Sequence, residues 1–304
     1  MSTSPLSAAC DPFDHTSFGE DRAHLIGGAC CAAALGVLFW PNLVHFVQTW
    51  MKDENYSHGF LVPLISLYFA HEASRKGTPS IRSGVWLGLT LLALAIAGRL
   101  ITVALPVFFI SDLAFLLGLA GCVSLLFGRD VLRRYGFAIG FLVFMIPLPV
   151  ALYAMIASPL QLMVSRIASV LLSMTGVPAL CEGNLITLPG DTKMFVAEAC
   201  SGMRQLTGFL ALTTACAYLL ARPAWYRALL IAASIPIATA ANIIRVTLTG
   251  QITYRLDPRY ASGAFHTVEG LLMMALGLLL LQGLRLFLDQ VIALFRPAPS
   301  ALEP

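Results

Sequence analysis

Three polar residues stand out in a chain that is otherwise strongly apolar: Cys200, Arg245 and His266. Each suits one part of an acyl-transfer site. A thiol becomes a strong nucleophile once deprotonated, and a helix N-terminus or a nearby cation lowers its pKa. Cys200 lies in Glu198-Ala-Cys-Ser-Gly-Met-Arg204-Gln-Leu206, where an apolar helix begins. Ser201 and Gly202 are small, so a peptide backbone has room beside the thiol. His266 opens a second helix in His-Thr-Val-Glu269-Gly270. Its imidazole suits the general base that takes the thiol proton and returns it to a leaving amine. Arg245 closes Asn242-Ile-Ile-Arg245, and a fixed cation in a low-dielectric site stabilises the oxyanion of a tetrahedral intermediate. Nucleophile, general base and oxyanion stabiliser are what covalent acyl transfer requires.

Each of these residues also has an ordinary explanation. A cysteine in an apolar helix is usually a small core residue. A histidine at a helix start is often interfacial, and an arginine at a helix end commonly snorkels. Polar neighbours distinguish Cys200 from Cys10, Cys30, Cys31, Cys122, Cys181 and Cys216. Around the three, Arg204, Glu198, Asn242, Glu269 and His58 form the candidate substrate-binding set. Arg204 is one turn below Cys200 on the same helix face; it binds substrate or pairs with Glu198 or Glu269. Glu269 orients His266 or forms a structural ion pair. His58, with Asn55–Ser57, lines a substrate entrance or caps a helix at the membrane interface.

Composition sets the environment in which these residues work. Of 304 residues, 58% are hydrophobic and only 12% are charged, against about 25% charged in soluble domains. Mean hydropathy is +0.81. A soluble enzyme, a disordered chain and a secreted disulfide scaffold are thereby excluded, which leaves a polytopic membrane protein. The net charge of +3 is too small to suggest nucleic-acid binding. The cysteines show no CxxC spacing, so no metal site, disulfide framework or cofactor is expected.

A membrane helix needs about 20 apolar residues. Eight such stretches run over about 24–47, 56–71, 85–105, 108–127, 136–154, 201–221, 225–248 and 266–288. The expected organisation is all-α: a polar tail at 1–23, a single transmembrane domain over 24–288 and a tail at 289–304. Basic residues cluster in three short connections: Arg75, Lys76 and Arg82; Arg129, Arg133 and Arg134; Arg222 and Arg227. On the alternate side, Lys52, Lys193, Arg255 and Arg259 are mixed with acidic residues. Because cytoplasmic loops are rich in Lys and Arg, both termini are placed inside, and Cys200, Arg245 and His266 fall at the outer face.

Residues 151–176 are apolar enough for a ninth span, but that crossing would put the Arg222–Arg227 loop outside. They are therefore read as an interfacial helix or a re-entrant hairpin. Residues 177–199 contain Pro178, Gly183, Pro189 and Gly190 between β-type runs Leu185–Leu188 and Met194–Val196. They predict a small outer-surface β-hairpin turning at Pro189–Asp191. Arg99 and Asp112, near the outer ends of adjacent helices, are expected to pair.

The strings EACSGMRQL (198–206), NIIR (242–245) and HTVEG (266–270) resemble the exosortase/archaeosortase family, as do SHGFLVPLISLYF (57–69) and MIPLP (145–149). Together they cover roughly residues 55–285. The resemblance implies an integral membrane cysteine transpeptidase of the bacterial inner membrane, with its active site on the extracytoplasmic side. The family triad maps onto Cys200, Arg245 and His266, and the arginine of the cysteine motif onto Arg204. Implied substrates are membrane-anchored proteins with a C-terminal tail of a Pro-Glu-Pro motif, one transmembrane helix and a basic cluster. A cell-surface or exopolysaccharide-linked acceptor would receive the cleaved protein. Two rivals stand beside this: an intramembrane cysteine protease with water as acceptor, and a non-catalytic transporter or exopolysaccharide assembly component. Transporters often show related halves and broken mid-membrane helices, and neither is evident in the sequence.

Overall fold

The computed structural model describes residues 15–77, 83–105, 107–190, 192–196, 202–256 and 264–294. They form helices α1 (His15–Leu38), α2 (Trp40–Lys52), α3 (Leu61–Ser74), α4 (Val85–Ala104), α5 (Phe108–Phe127), α6 (Arg129–Phe141) and α7 (Val150–Met174). Strands β1 (Leu180–Glu182), β2 (Leu185–Leu188) and β3 (Thr192–Phe195) follow. Helices α8 (Gly202–Leu219), α9 (Ala224–Arg255) and α10 (Ala264–Leu294) come after the sheet. Short 3-10 turns occupy Glu54–Phe60 and Leu142–Met145. By length and composition, α4, α5, α7, α9 and Val268–Leu294 of α10 suffice to cross a membrane. The bent pair Leu25–Leu38 and Trp40–Lys52 makes a sixth if counted as one span.

This differs from eight uniform spans, and proline explains two of the differences. The first span breaks at Phe39 with a 69° bend. Pro41 has no N–H to continue the ladder. The Asn42 N–H turns to the Phe39 carbonyl (2.9 Å), and Arg99 Nε donates to the released Leu38 carbonyl (3.1 Å). Arg99 therefore does not pair with Asp112 as expected. Asp112 instead accepts from Asn42 Nδ2 at 2.6 Å. The stretch 136–154 breaks at Pro147 and Pro149. Ile146, before a proline, is forced extended (φ −81, ψ 124), and Pro149 (φ −56, ψ 143) caps a new helix.

That new helix, α7, is a continuous 25-residue element despite its internal Pro159. Of the two readings of 151–176, an interfacial helix or a re-entrant hairpin, the continuous helix does not fit the hairpin. Residues 56–71 likewise divide into a 3-10 turn and the 14-residue α3.

The chain folds as two compact units. The first holds residues 1–48 and 61–146, the second 49–60 and 147–304. In the first, Leu35 and Phe39 pack on Ala114 and Cys122 of α5. Helices α4 and α5 approach through small residues: a Cβ on Gly88 would lie 2.8 Å from the Leu125 backbone nitrogen, the close contact that small residues allow between membrane helices. In the second unit, the sheet lies on α7 and α9. Val164, Ala168 and Leu172 recur every four residues along one face of α7. They bury against Ile186, Leu188, Met194, Val196 and Val246.

Candidate active site

The sheet is more than the expected hairpin. Strands β2 and β3 pair antiparallel with Ile186 opposite Met194 and Leu188 opposite Thr192. Gly190 turns between them at φ +82, as the sequence predicts. The third strand, β1, pairs with β2 through Cys181 opposite Ile186. Its loop is the two-residue step Gly183-Asn184, with Gly183 at φ +64, a hairpin signal as plain as the one at Gly190. Alternation puts Ile186, Leu188, Met194 and Val196 inward and leaves Leu180, Lys193 and Phe195 exposed. The strand β3 then leads toward the start of α8. Cys200 and Glu198 lie in that connection, outside the described residues.

Helices α8 and α10 run side by side in the same direction. Gly208 faces Met274, and Gly277 faces the Phe209 ring. Phe209 also joins Tyr226, Leu230, Ala238 and Leu281 in one buried cluster. The starts of α8 and α10 and the C-terminal half of α9 therefore share one end of this helical group. His266 belongs to the first turn of α10; its side chain lies outside the description.

Arg245 is buried on α9 and Glu269 on α10, with side chains 8% and 6% exposed. Arg245 Nε lies 3.6 Å from Glu269 Oε2. Thr249 Oγ1 lies 2.6 Å from Glu269 Oε1 and 2.9 Å from the Arg245 carbonyl. A hydroxyl has one proton to give. The shorter contact, to a charged acceptor, is the stronger one and takes it.

Arg204, on the first turn of α8, pairs with Glu54. That partner belongs to the 3-10 turn that also carries His58, which is half-buried. The turn is fastened independently. The Asp53 carboxylate accepts from Asn55 N–H (2.9 Å) and Nδ2 (2.8 Å). Leu148 N–H donates to the Tyr56 hydroxyl oxygen at 3.1 Å. Burial of Tyr56 pushes its pKa up, so the ring stays neutral. Gly59 leaves room for the Trp50 indole, which a Cβ would meet at 2.5 Å.

Asn242, one turn before Arg245, is buried, and its Oδ1 has no hydrogen-bond partner among the described residues. The same holds for Gln205 Oε1 on α8. Gln205 was absent from the sequence-derived set, although it adjoins Arg204 and is polar within an apolar helix. Two buried carboxamide oxygens without donors are suited to a backbone N–H from a ligand.

The described residues thus bring Arg245, Glu269 and Thr249 together and give Arg204 and His58 a common neighbourhood in the turn at Glu54–Phe60. No curated protein and no solved structure matches the chain. Residues 50–283 match the family described as transmembrane exosortase, a stretch that takes in the sheet, Arg204, Arg245 and Glu269. The chain belongs to the transmembrane exosortase family.

Proposed function

We propose that this protein is a membrane cysteine transpeptidase that cleaves C-terminal sorting tails on the extracytoplasmic side of the inner membrane. Family membership supports a membrane transpeptidase or protease role. The observation that carries the finer reading is the buried Arg245 beside the starts of α8 and α10, which follow and hold Cys200 and His266 in sequence. His266 takes the thiol proton of Cys200. The thiolate attacks the carbonyl of the scissile peptide bond, and Arg245 stabilises the oxyanion. His266 returns the proton to the leaving nitrogen as the C–N bond breaks, releasing the tail and leaving a thioester. An acceptor nucleophile then attacks the thioester and carries the protein to the cell surface. Arg204, Glu198, Asn242 and His58 make up the substrate-binding surroundings, and Glu269 stands beside Arg245.

Loop charge supports an outward-facing site. In this reading α3 and α8 also cross, and α7 takes the place of 136–154 as the crossing before the sheet, which keeps the parity of α8 to α10. The termini then lie in the cytoplasm.

The test is a secreted reporter ending in a Pro-Glu-Pro motif, one apolar span and an arginine cluster, co-expressed with the protein. Wild type is expected to process it and Cys200→Ala to leave it uncleaved. Normal processing by Cys200→Ala would sink the reading. A product heavier than the cleaved reporter indicates transfer; one of cleaved mass alone indicates hydrolysis by water.

A further inference from the structure

Helix α9 presents Arg245 and Thr249 one turn apart, hence on one face. Across from them, α10 supplies a single carboxylate that meets both. Glu269 Oε1 takes the Thr249 hydroxyl proton at 2.6 Å, and Oε2 faces Arg245 Nε at 3.6 Å. Oε1 is hydrogen-bonded, and Oε2 stands at ion-pair distance from the guanidinium, longer than a hydrogen bond. The Glu269 residue is only 5% exposed, and both its oxygens are turned toward α9. A guanidinium is a rigid planar fork. A carboxylate held at ion-pair distance from Nε favours the orientations that keep the inner edge of that plane turned toward it.

We infer that Glu269 and Thr249 are positioning residues for Arg245: they set the plane of its guanidinium and do not themselves touch substrate. The inference rests on the proposed role of Arg245 at the oxyanion. It gives Glu269 a task distinct from binding substrate, and Thr249, a residue with no assigned role, a place in the same device. A hydroxyl bound to the carboxylate fixes the carboxylate rotamer, and the carboxylate in turn fixes the guanidinium. Misplacement of a catalytic group by about 1 Å can lower a rate roughly 100-fold.

The experiment uses full-length protein in proteoliposomes with the sorting-tail reporter, measured over a range of reporter surface density. Glu269→Gln is expected to lower the saturated rate by about 10- to 100-fold while KM stays within about twofold, as loss of orientation without loss of binding requires. Thr249→Val is expected to lower it less, and Thr249→Ser to restore it. In an Arg245→Lys background, Glu269→Gln is expected to add almost nothing, because residues acting through one group are non-additive. Thermal unfolding in detergent checks that each variant is folded. A Glu269→Gln protein of wild-type rate, a loss confined to KM, or full additivity with Arg245→Lys would each overturn the inference. Inactive Cys200→Ala beside fully active Glu269→Gln would remove this inference alone; active Cys200→Ala would remove the parent reading with it.

Discussion

Among the described residues, each of the two units buries one carboxylate among helices, and the two are held in opposite ways. In the first unit Asp112 is fully buried. Its Oδ1 accepts from Asn42 Nδ2 at 2.6 Å, and Asn42 Oδ1 accepts from Ser111 Oγ at 2.9 Å. These partners are neutral, and they tie α5 to α2 just past the bend at Phe39. Arg99, the cation expected to pair with Asp112, is spent on the Leu38 carbonyl exposed by that same bend. In the second unit Glu269 faces a guanidinium, with a hydroxyl on its other oxygen. The first arrangement closes a break in a helix. The second keeps a full positive charge in a low-dielectric position, where charge does more than it can in water. A buried ionisable residue in a membrane protein is thus a functional candidate only after its partners are known.

The comparison breaks most visibly at Arg245. Arg245→Ala is expected to abolish reporter processing, on the order of 100- to 1000-fold, as removal of an oxyanion donor does. It also takes the cation away from the buried Glu269 carboxylate, and removing one member of a buried ion pair costs about 3–5 kcal/mol. Both effects are measurable on one sample, by processing rate and by thermal unfolding in detergent. An Arg245→Ala protein that processes at the wild-type rate would remove the distinction between the two units.

Asp112 should behave otherwise. Asp112→Leu leaves the Asn42 amide without its acceptor, for a loss of about 1–3 kcal/mol. Asp112→Asn keeps a carbonyl oxygen there and is expected to lose less. In both variants the protein that remains folded should process the reporter at the wild-type rate. A rate loss as steep as that of Arg245→Ala, in folded protein, would give Asp112 a functional role and dissolve the contrast.

What the sequence discloses and what it hides follow the same line. Uninterrupted apolar stretches are legible: the expected spans 85–105 and 108–127 lie within a residue of α4 and α5. The turn at Gly190 is legible because it needs left-handed backbone, and β1 was within reach through Gly183-Asn184. Proline breaks inside apolar stretches were passed over. Hydropathy does not register Pro41, Pro147 or Pro149, whose effect is a missing N–H and a forbidden helical neighbour. Pairing over long sequence distance was the least legible. Arg99 and Asp112 share the outer ends of adjacent helices, yet Asn42, 70 residues away in the chain, is the residue that reaches that carboxylate. Arg204 was matched to glutamates on its own and the neighbouring helix, whereas Glu54 is 150 residues distant. Arg245 and Glu269 were recognised separately, as polar residues in apolar helices. Their pairing depends on how α9 meets α10, which spacing alone does not encode.

The smallest expected effect concerns the pair at Arg204 and Glu54, the second unit's other ion pair near the candidate site. Its side chains are 41% and 75% exposed, against 8% and 6% for Arg245 and Glu269. Water screens exposed charges and competes for their hydrogen bonds, so such pairs contribute about 0–1 kcal/mol. The turn holding Glu54 is also secured without it, through Asp53, Tyr56 and Trp50. Glu54→Ala is therefore expected to shift stability by less than about 1 kcal/mol. Added salt should produce a change of the same sign in the wild type, because salt weakens the same interaction. Processing separates the partners: Arg204→Ala should raise KM for the reporter, whereas Glu54→Ala should not raise it, since it removes only a competitor for the guanidinium. If Glu54→Ala destabilises the protein as much as Arg245→Ala, exposure does not govern the strength of these pairs.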